Sequence, residues 1–177
     1  MVVWDELTRF RREAKWPEGC KVQIVGGLVV VEPPPDSAHN DTVDELQRLL
    51  YTVIPRDWGI YQALELTLSG GRGLFVPDVS VVPKNRCAAD VPRLVAEVTS
   101  WSGANHDRVE KLHAYAATGV PLYLLLDPWH SGTPTATLYG EPEGGSYRVL
   151  EMVKYGDELR LPAPFDVTVD TSLFPVG

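Results

Sequence analysis

Apolar residues recur along this chain with two periods, and the switches between them mark out its elements. Residues 5–14 carry them at helical spacing and run into Trp16-Pro17-Glu18-Gly19, which predicts a short amphipathic helix ended by that turn. Residues 21–25 and 28–32 then read as strands. They flank Gly26-Gly27, a pair that permits positive φ, so a β-hairpin is expected. Pro33-Pro34-Pro35 closes the hairpin, and Asp36-Ser37 can cap a second helix. In that helix His39, Val43, Leu46, Leu49, Leu50 and Val53 recur until Pro55 stops the run. Residues 60–68 are predicted as a strand, 69–73 as a turn or flexible loop, and 76–82 and 93–99 as two further strands.

Helical spacing returns over residues 102–118, where Val109, Leu112, Tyr115 and Ala116 form the apolar side and Gly119 supplies the expected C-terminal cap. Residues 121–127 are almost continuously apolar, as in a central strand covered on both faces. Strand, helix and strand from 93 to 127 predict a right-handed crossover if the two strands are parallel. Alternating segments near 135–139, 146–153, 158–161 and 165–169 predict antiparallel strands that extend or flank the sheet. There is no internal repeat and no long linker. At 177 residues, a single α/β domain spanning 1–177 is the expected organisation.

Two carboxylates interrupt this pattern. Asp78 stands in Val76-Pro77-Asp78-Val79-Ser80-Val81-Val82, and Glu97 in Leu94-Val95-Ala96-Glu97-Val98. A buried ionised carboxylate costs several kcal/mol unless something pairs with it, so two in neighbouring apolar runs suggest a shared partner, most simply a divalent cation. Alternation puts Asp78 and Ser80 opposite Val79 and Val81, and Val95, Glu97 and Thr99 opposite Leu94, Ala96 and Val98. Suitable pairing would therefore bring both acids to one sheet face. Asp107 and Lys111 are i and i+4 on a helix that must return over that sheet, so Lys111 can reach the carboxylates. Asp78, Glu97 and the Val98 carbonyl could then hold a hard cation, while Lys111 orients or deprotonates a water and counters phosphate charge. Spacing is equally compatible with a bland alternative, in which Asp78 begins a strand after Pro77 and Glu97 forms a structural pair with Lys111 or Arg93.

Charge changes this picture. The net charge of −8 weighs against a nucleic-acid binder built on a broad basic footprint. Positive charge is local, in Arg9, Arg11, Arg12 and Lys15, and the preferred reading of that cluster is a solvated helix face. Cys20 and Cys87 have no C-x-x-C spacing and no neighbouring His pair, so both are expected to be reduced and structural. With no basic, apolar start and no run near the roughly 18–20 apolar residues that cross a bilayer, a soluble cytoplasmic protein is expected.

The succession of Val76-Pro77-Asp78-Val79-Ser80-Val81-Val82, Leu94-Val95-Ala96-Glu97-Val98-Thr99-Ser100, the Asp107 to Lys111 helix and Gly119-Val120-Pro121 with its strand resembles the Uma-type family. These are small bacterial restriction-endonuclease-like proteins of the PD-(D/E)XK nuclease superfamily. Gly26-Gly27 with its flanking strands and the His39 helix resemble the family's opening, so the likeness covers most of the chain. It implies a mixed central β-sheet flanked by helices, with extra antiparallel strands at both ends. It also implies Mg²⁺ (or Mn²⁺) as metal and DNA cleavage as chemistry. Asp78 matches the motif aspartate and Glu97 the second acid. The usual lysine two residues later is Thr99, which makes Lys111 the candidate for a relocated lysine. Trp101-Ser102-Gly103 stands where relatives often read Pro-Ser-Thr, and Leu122 where they often carry Glu.

His39 aligns with a family histidine and could point into the site, although a hydrogen-bonded core histidine is the plainer reading. Glu32, Glu45 and Glu65 are candidate additional acids of the site, with surface or strand-edge roles the preferred reading; Asp107 reads as the residue that positions Lys111, and Asp127 as a turn cap before Pro128. The leading functional expectation is a metal-dependent DNA endonuclease. Its rival is a non-catalytic interaction module that keeps the nuclease fold. A homo-oligomer is expected if two strands are to be cut, with the Leu173-Phe174-Pro175-Val176 tail as an interface or a packed terminus.

Overall fold

The computed structural model describes residues 2–67, 73–85, 91–101 and 105–176. Helix α1 (Val2–Glu13) begins earlier than its apolar spacing predicts. Its Arg11 does not lie on a solvated face: Nε donates to the Val22 carbonyl at 2.7 Å and Nη2 pairs with Glu65 at 2.6 Å, docking the helix on the next element. Arg9, Arg12 and Lys15 are exposed, as expected. Strands β1 (Lys21–Val25) and β2 (Leu28–Glu32) form the hairpin. Gly26 and Gly27 take φ of 57° and 79°, the left-handed pair that a two-residue loop between right-twisted strands requires. Helix α2 (Ser37–Tyr51) starts where Asp36 accepts a hydrogen bond from the His39 backbone N–H at 2.8 Å.

One predicted strand proves to be divided between sheets, and another to be shortened. Residues 60–68 split into β3 (Trp58–Tyr61) and β4 (Leu66–Thr67), because Ala63 turns to a φ of 54° between them. The strand predicted at 76–82 starts late, as β6 (Val79–Pro83) in the larger sheet, while β5 (Leu74–Phe75), just ahead of the predicted run, pairs with β1 and β4. Val76 gives its N–H to the Gln23 side chain at 2.8 Å and Pro77 has none, so the ladder cannot continue through 76–78. Asp78 therefore sits just ahead of β6, at the crossing between sheets.

Strands β7 (Leu94–Val98) and β8 (Leu122–Asp127) are parallel, as the crossover predicts. Residues 102–104 of the helix expected between them lie outside the described residues. A π-helical turn, His106–Glu110, leads directly into α3 (Lys111–Thr118), which Gly119 caps at a φ of 77°. A π turn widens the spiral locally and is common at functional sites. The C-terminal part pairs β9 (Thr135–Glu143) with β10 (Ser146–Lys154), and β11 (Glu158–Leu161) with β12 (Val167–Asp170).

The main sheet has six strands in the order β10-β9-β8-β7-β6-β3, mixed through its one parallel pair; a four-stranded sheet β2-β1-β5-β4 and the β11-β12 pair flank it. Alternation sorts its two faces. Val79, Val81, Leu94, Ala96, Val98, Leu122, Leu124 and Leu126 pack under α2 through Val43, Leu46 and Leu50. Val95, Tyr123 and Leu125 pack on the other face with Tyr115 of α3, Val25 and Phe75. Each fully buried Leu or Val contributes about 1.5–3 kcal/mol, so both layers hold α2, α3 and the hairpin firmly against the sheet. In the tail, Phe174 is buried beside Tyr155 while Leu173 and Val176 are exposed. Among the described residues no helix is long and apolar enough to cross a membrane. Cys20 is a half-buried free thiol, and Cys87 lies outside the described residues.

Candidate active site

Strands β6 and β7 pair antiparallel with Val79 opposite Ala96. Continuing that register by one residue sets Asp78 beside Glu97 on the α3 side of the sheet, so the two acids share a face as alternation predicts. The π turn then directs Asp107 and Lys111 at them. Lys111 Nζ lies 2.9 Å from Glu97 Oε1 and 2.8 Å from Asp107 Oδ1, and the lysine is completely buried. Tyr115, one turn further along α3, donates its hydroxyl to Glu97 Oε1 at 2.8 Å. Tyr123 donates to the Asp107 carbonyl at 2.9 Å, pinning the turn to β8.

Asp78 is fixed from three directions. The Val98 N–H donates to Oδ2 at 2.8 Å, His39 Nε2 is 3.1 Å from the same oxygen, and Lys21 Nζ is 2.8 Å from Oδ1. Lys21 also lies 3.5 Å from Glu32 and 3.8 Å from Glu97. Its ammonium thus stands among three carboxylates, at the point a cation would take. Neither Lys21 nor Tyr115 is legible as a site residue in sequence. Lys21 heads a hairpin strand and looks like an edge lysine, and no local spacing relates it to residues more than fifty positions away. Glu32 is not a surface acid either: the hairpin register pairs it with Lys21 and buries it. Glu65 is exposed and holds Arg11.

Thr99, at the usual lysine position, donates its hydroxyl to Asp127 at 2.9 Å. Asp127 also accepts the Trp129 N–H at 3.1 Å, as a turn cap should, and binds Arg108 through two nitrogens at 2.6 and 2.9 Å. Those groups brace the mouth of a cavity of about 370 Å³, lined among others by Lys21, Glu32, His39, Asp78, Val98 and Asp107. Glu97 and Lys111 are absent from that lining and lie behind it. Val98 borders the cavity, with its N–H engaged by Asp78.

Four carboxylates, Glu32, Asp78, Glu97 and Asp107, face two ammonium groups, Lys21 and Lys111, and the surplus negative charge shapes the titration. Burial pushes the Glu97 carboxyl up to about 7 although Lys111 and Lys21 oppose this. Burial raises Asp107 as well. It works against ionisation of Asp78 too, but Lys21, His39 and Lys111 together hold that group well below the carboxylate range. Burial also disfavours charge on His39, yet the hydrogen bond and charge of Asp78 prevail and raise it above 6.5. Lys21 and Lys111 stay protonated.

Glu97, raised in the folded state, contributes stability that is complete below its ordinary value of 4.5 and lost as pH rises through about 7. His39, also raised, adds stability present below 6.5 and lost above that in the same direction. Stability of the metal-free protein therefore falls as pH rises from 4.5 through about 7, and His39 extends the fall above 6.5; Glu97→Gln flattens the lower part of it. Urea denaturation at several pH values checks this; equal slopes in parent and variant would contradict it.

A hard divalent cation fits this donor set. Glu97 Oε2 and Glu32 Oε1 are buried without a hydrogen-bond partner, and the surplus carboxylate charge is of the right sign. Among the described residues no three His, Cys, Asp or Glu side chains form a complete protein cage. Mg²⁺ does not need one, since it commonly keeps several waters and takes one or two carboxylates.

The fold has a solved counterpart. The crystal structure of a putative nuclease belonging to DUF820 from Anabaena variabilis superposes with a TM-score of 0.71 over 97% of this chain and 96% of that one, at 18% identity. Among curated proteins none matches in sequence. The Uma2 family, described as "putative restriction endonuclease", matches residues 4–173. The chain, with its mixed sheet and restriction-endonuclease-like fold, belongs to the Uma2 family.

Proposed function

We propose that this chain is a divalent-metal-dependent nuclease that hydrolyses phosphodiester bonds of nucleic acid, with DNA cleaved endonucleolytically. The observation that carries the reading is Asp78 lining a cavity with Glu97 beside it just behind the lining, one buried Glu97 oxygen lacking a hydrogen-bond partner. Asp78 and Glu97, with the Val98 carbonyl, would hold Mg²⁺ or Mn²⁺, which supplies Lewis acidity at the phosphate and a more acidic bound water. Asp107 and Tyr115 hold Lys111 and Glu97 in place from behind. Lys111, fully buried, orients Glu97, and Lys21, which borders the cavity, holds Asp78 Oδ1. His39 holds Asp78 Oδ2 and can carry a proton at Nε2.

The test is incubation of labelled DNA and RNA with the protein in Mg²⁺, in Mn²⁺ and in EDTA. Cleavage is expected only with metal. Cleavage in EDTA, or cleavage unchanged in both Asp78→Ala and Glu97→Ala, would sink the reading.

A non-catalytic module is the second reading, and the ammonium of Lys21 on Asp78 Oδ1 favours it, because that contact occupies the cation position. Lys21→Met separates the two. Without metal the variant loses Asp78's counter-charge and melts at a lower temperature than the parent. Under the nuclease reading, Mg²⁺ takes the vacated position, so saturating Mg²⁺ raises the variant's Tm by more than it raises the parent's. Scanning calorimetry with and without Mg²⁺ measures both; a variant indifferent to metal supports the non-catalytic module.

A further inference from the structure

At the mouth of the same cavity Trp101 and Trp129 meet edge to face, with ring centroids 5.6 Å apart and an interplanar angle of 79°. Trp101 is 81% exposed, which is unusual for so large an apolar side chain, and Trp129 is half-buried behind it. Among the described residues no buried hydrophobic cluster includes either of them. Asp127 fixes the Trp129 backbone, and Pro33, Pro34, Pro35, Pro128 and Pro175 add stiff apolar walls to the cavity. An open aromatic corner on a rigid rim thus lines the same cavity as Glu32, Asp78 and Asp107.

The charges around it restrict what that corner can serve. Of the described residues lining the cavity, Lys21 and His39 are the basic ones, and both are engaged by Asp78. Arg108, nearby, is held by Asp127. A duplex is gripped mainly through phosphates by a set of available cations, and a chain of net charge −8 with its site cations already paired is poorly equipped for that. Stacking needs no charge. Unpaired bases present open π-faces that tryptophan accepts regardless of sequence, whereas in a duplex those faces are covered by neighbouring base pairs. A cavity of about 370 Å³ is also small, near the lower end of the roughly 300–1,000 Å³ typical of ligand pockets. It has room for about one nucleotide and not for the width of a double helix.

We infer that Trp101 and Trp129 form a stacking site for an unpaired base beside the scissile phosphate, so that the substrate is single-stranded nucleic acid or an unpaired stretch within a longer one. The inference rests on the nuclease reading of Asp78 and Glu97 for the placement of the phosphate. It does not depend on that reading for the binding itself.

Fluorescence anisotropy in EDTA provides the test, with labelled oligothymidine, oligouridine, a duplex of the same length, and an oligothymidine made abasic at its central positions. The expected results are single-strand binding at least tenfold tighter than duplex binding, a similar loss on removing the bases, and a shallow dependence on salt. Trp101→Ala and Trp129→Ala each weaken single-strand binding about tenfold, and Trp101→Phe restores most of it. Circular dichroism melting confirms that the variants fold; Trp101→Ala, at an exposed position, carries the test if Trp129→Ala does not fold. Thymidine against uridine reports which sugar is accepted.

Equal affinity for duplex, equal affinity for the abasic strand, no binding at all, or folded alanine variants that bind like the parent would each overturn the inference. Cleavage in Mg²⁺ tells the two readings apart. Tryptophan-dependent single-strand binding without any cleavage removes the nuclease and keeps the stacking site. Cleavage of duplex that is indifferent to both tryptophans does the reverse.

Discussion

Asp78→Asn lowers the rate of metal-dependent hydrolysis by at least about 10³-fold, close to 4 kcal/mol of transition-state stabilisation. Both oxygens of Asp78 are used: Oδ1 faces Lys21 at 2.8 Å, and Oδ2 accepts the Val98 N–H at 2.8 Å and lies 3.1 Å from His39. An asparagine keeps the shape and can keep one of these acceptors. It must then present an NH₂ group either to an ammonium or to a backbone N–H. The carboxylate charge that a divalent cation requires is lost in both orientations. The effect is read from initial rates at saturating Mg²⁺, with circular dichroism to show that the variant is folded. A folded variant within tenfold of the parent would exclude Asp78 as a metal ligand.

Lys111→Met costs about 3–5 kcal/mol of stability, a large fraction of the roughly 5–15 kcal/mol that holds a domain folded. The methionine is close to lysine in volume, so packing is nearly conserved and the loss is electrostatic. Glu97 and Asp107, 2.9 and 2.8 Å from Nζ, are left without their buried counter-charge, in surroundings too closed for bulk solvent to replace it. Both must bind protons in order to stay buried, so the destabilisation grows as pH rises. Combining Lys111→Met with Glu97→Gln removes one of the two stranded charges and recovers part of the loss. The interaction energy between the two substitutions is then in the range of about 0.5–3 kcal/mol. Equilibrium denaturation of the parent, both single variants and the double variant completes the cycle, and strict additivity would exclude the pair as a unit.

Much of the fold is legible in the sequence because its elements obey local rules. Gly26-Gly27 requires a two-residue hairpin, Asp36 caps α2, and Gly119 ends α3, each through backbone geometry that depends on a few neighbouring residues. Alternation puts Asp78 and Glu97 on one face, and the pairing of Val79 with Ala96 completes that arrangement. The run at 60–68 reads as one strand and is in fact divided, because an extended run does not reveal to which sheet each half belongs, and the strand predicted at 76–82 begins only at Val79. Gln23 taking the Val76 N–H is a contact across 53 residues, and nothing near Val76 announces it.

Candidate chemistry shows the same division. Helical spacing relates Asp107 to Lys111. It cannot relate Lys21 to Asp78, because β1 reaches the site only after the hairpin sheet has folded over the α3 side of the main sheet. Glu32 accompanies Lys21 there through the hairpin register.

The sequence by itself determined where the chain turns, which residues share a face of each element, and which acids would be costly to bury, since these depend on dihedral preference, side-chain period and solvation. Tertiary structure decided which charges meet. It set Lys21 among Asp78, Glu32 and Glu97, sank Lys111 behind the cavity, and placed Trp101 and Trp129 at its mouth. Those positions depend on sheet register and on the crossing of distant segments, where electrostatic energy varies steeply over one or two ångströms and no local pattern encodes it.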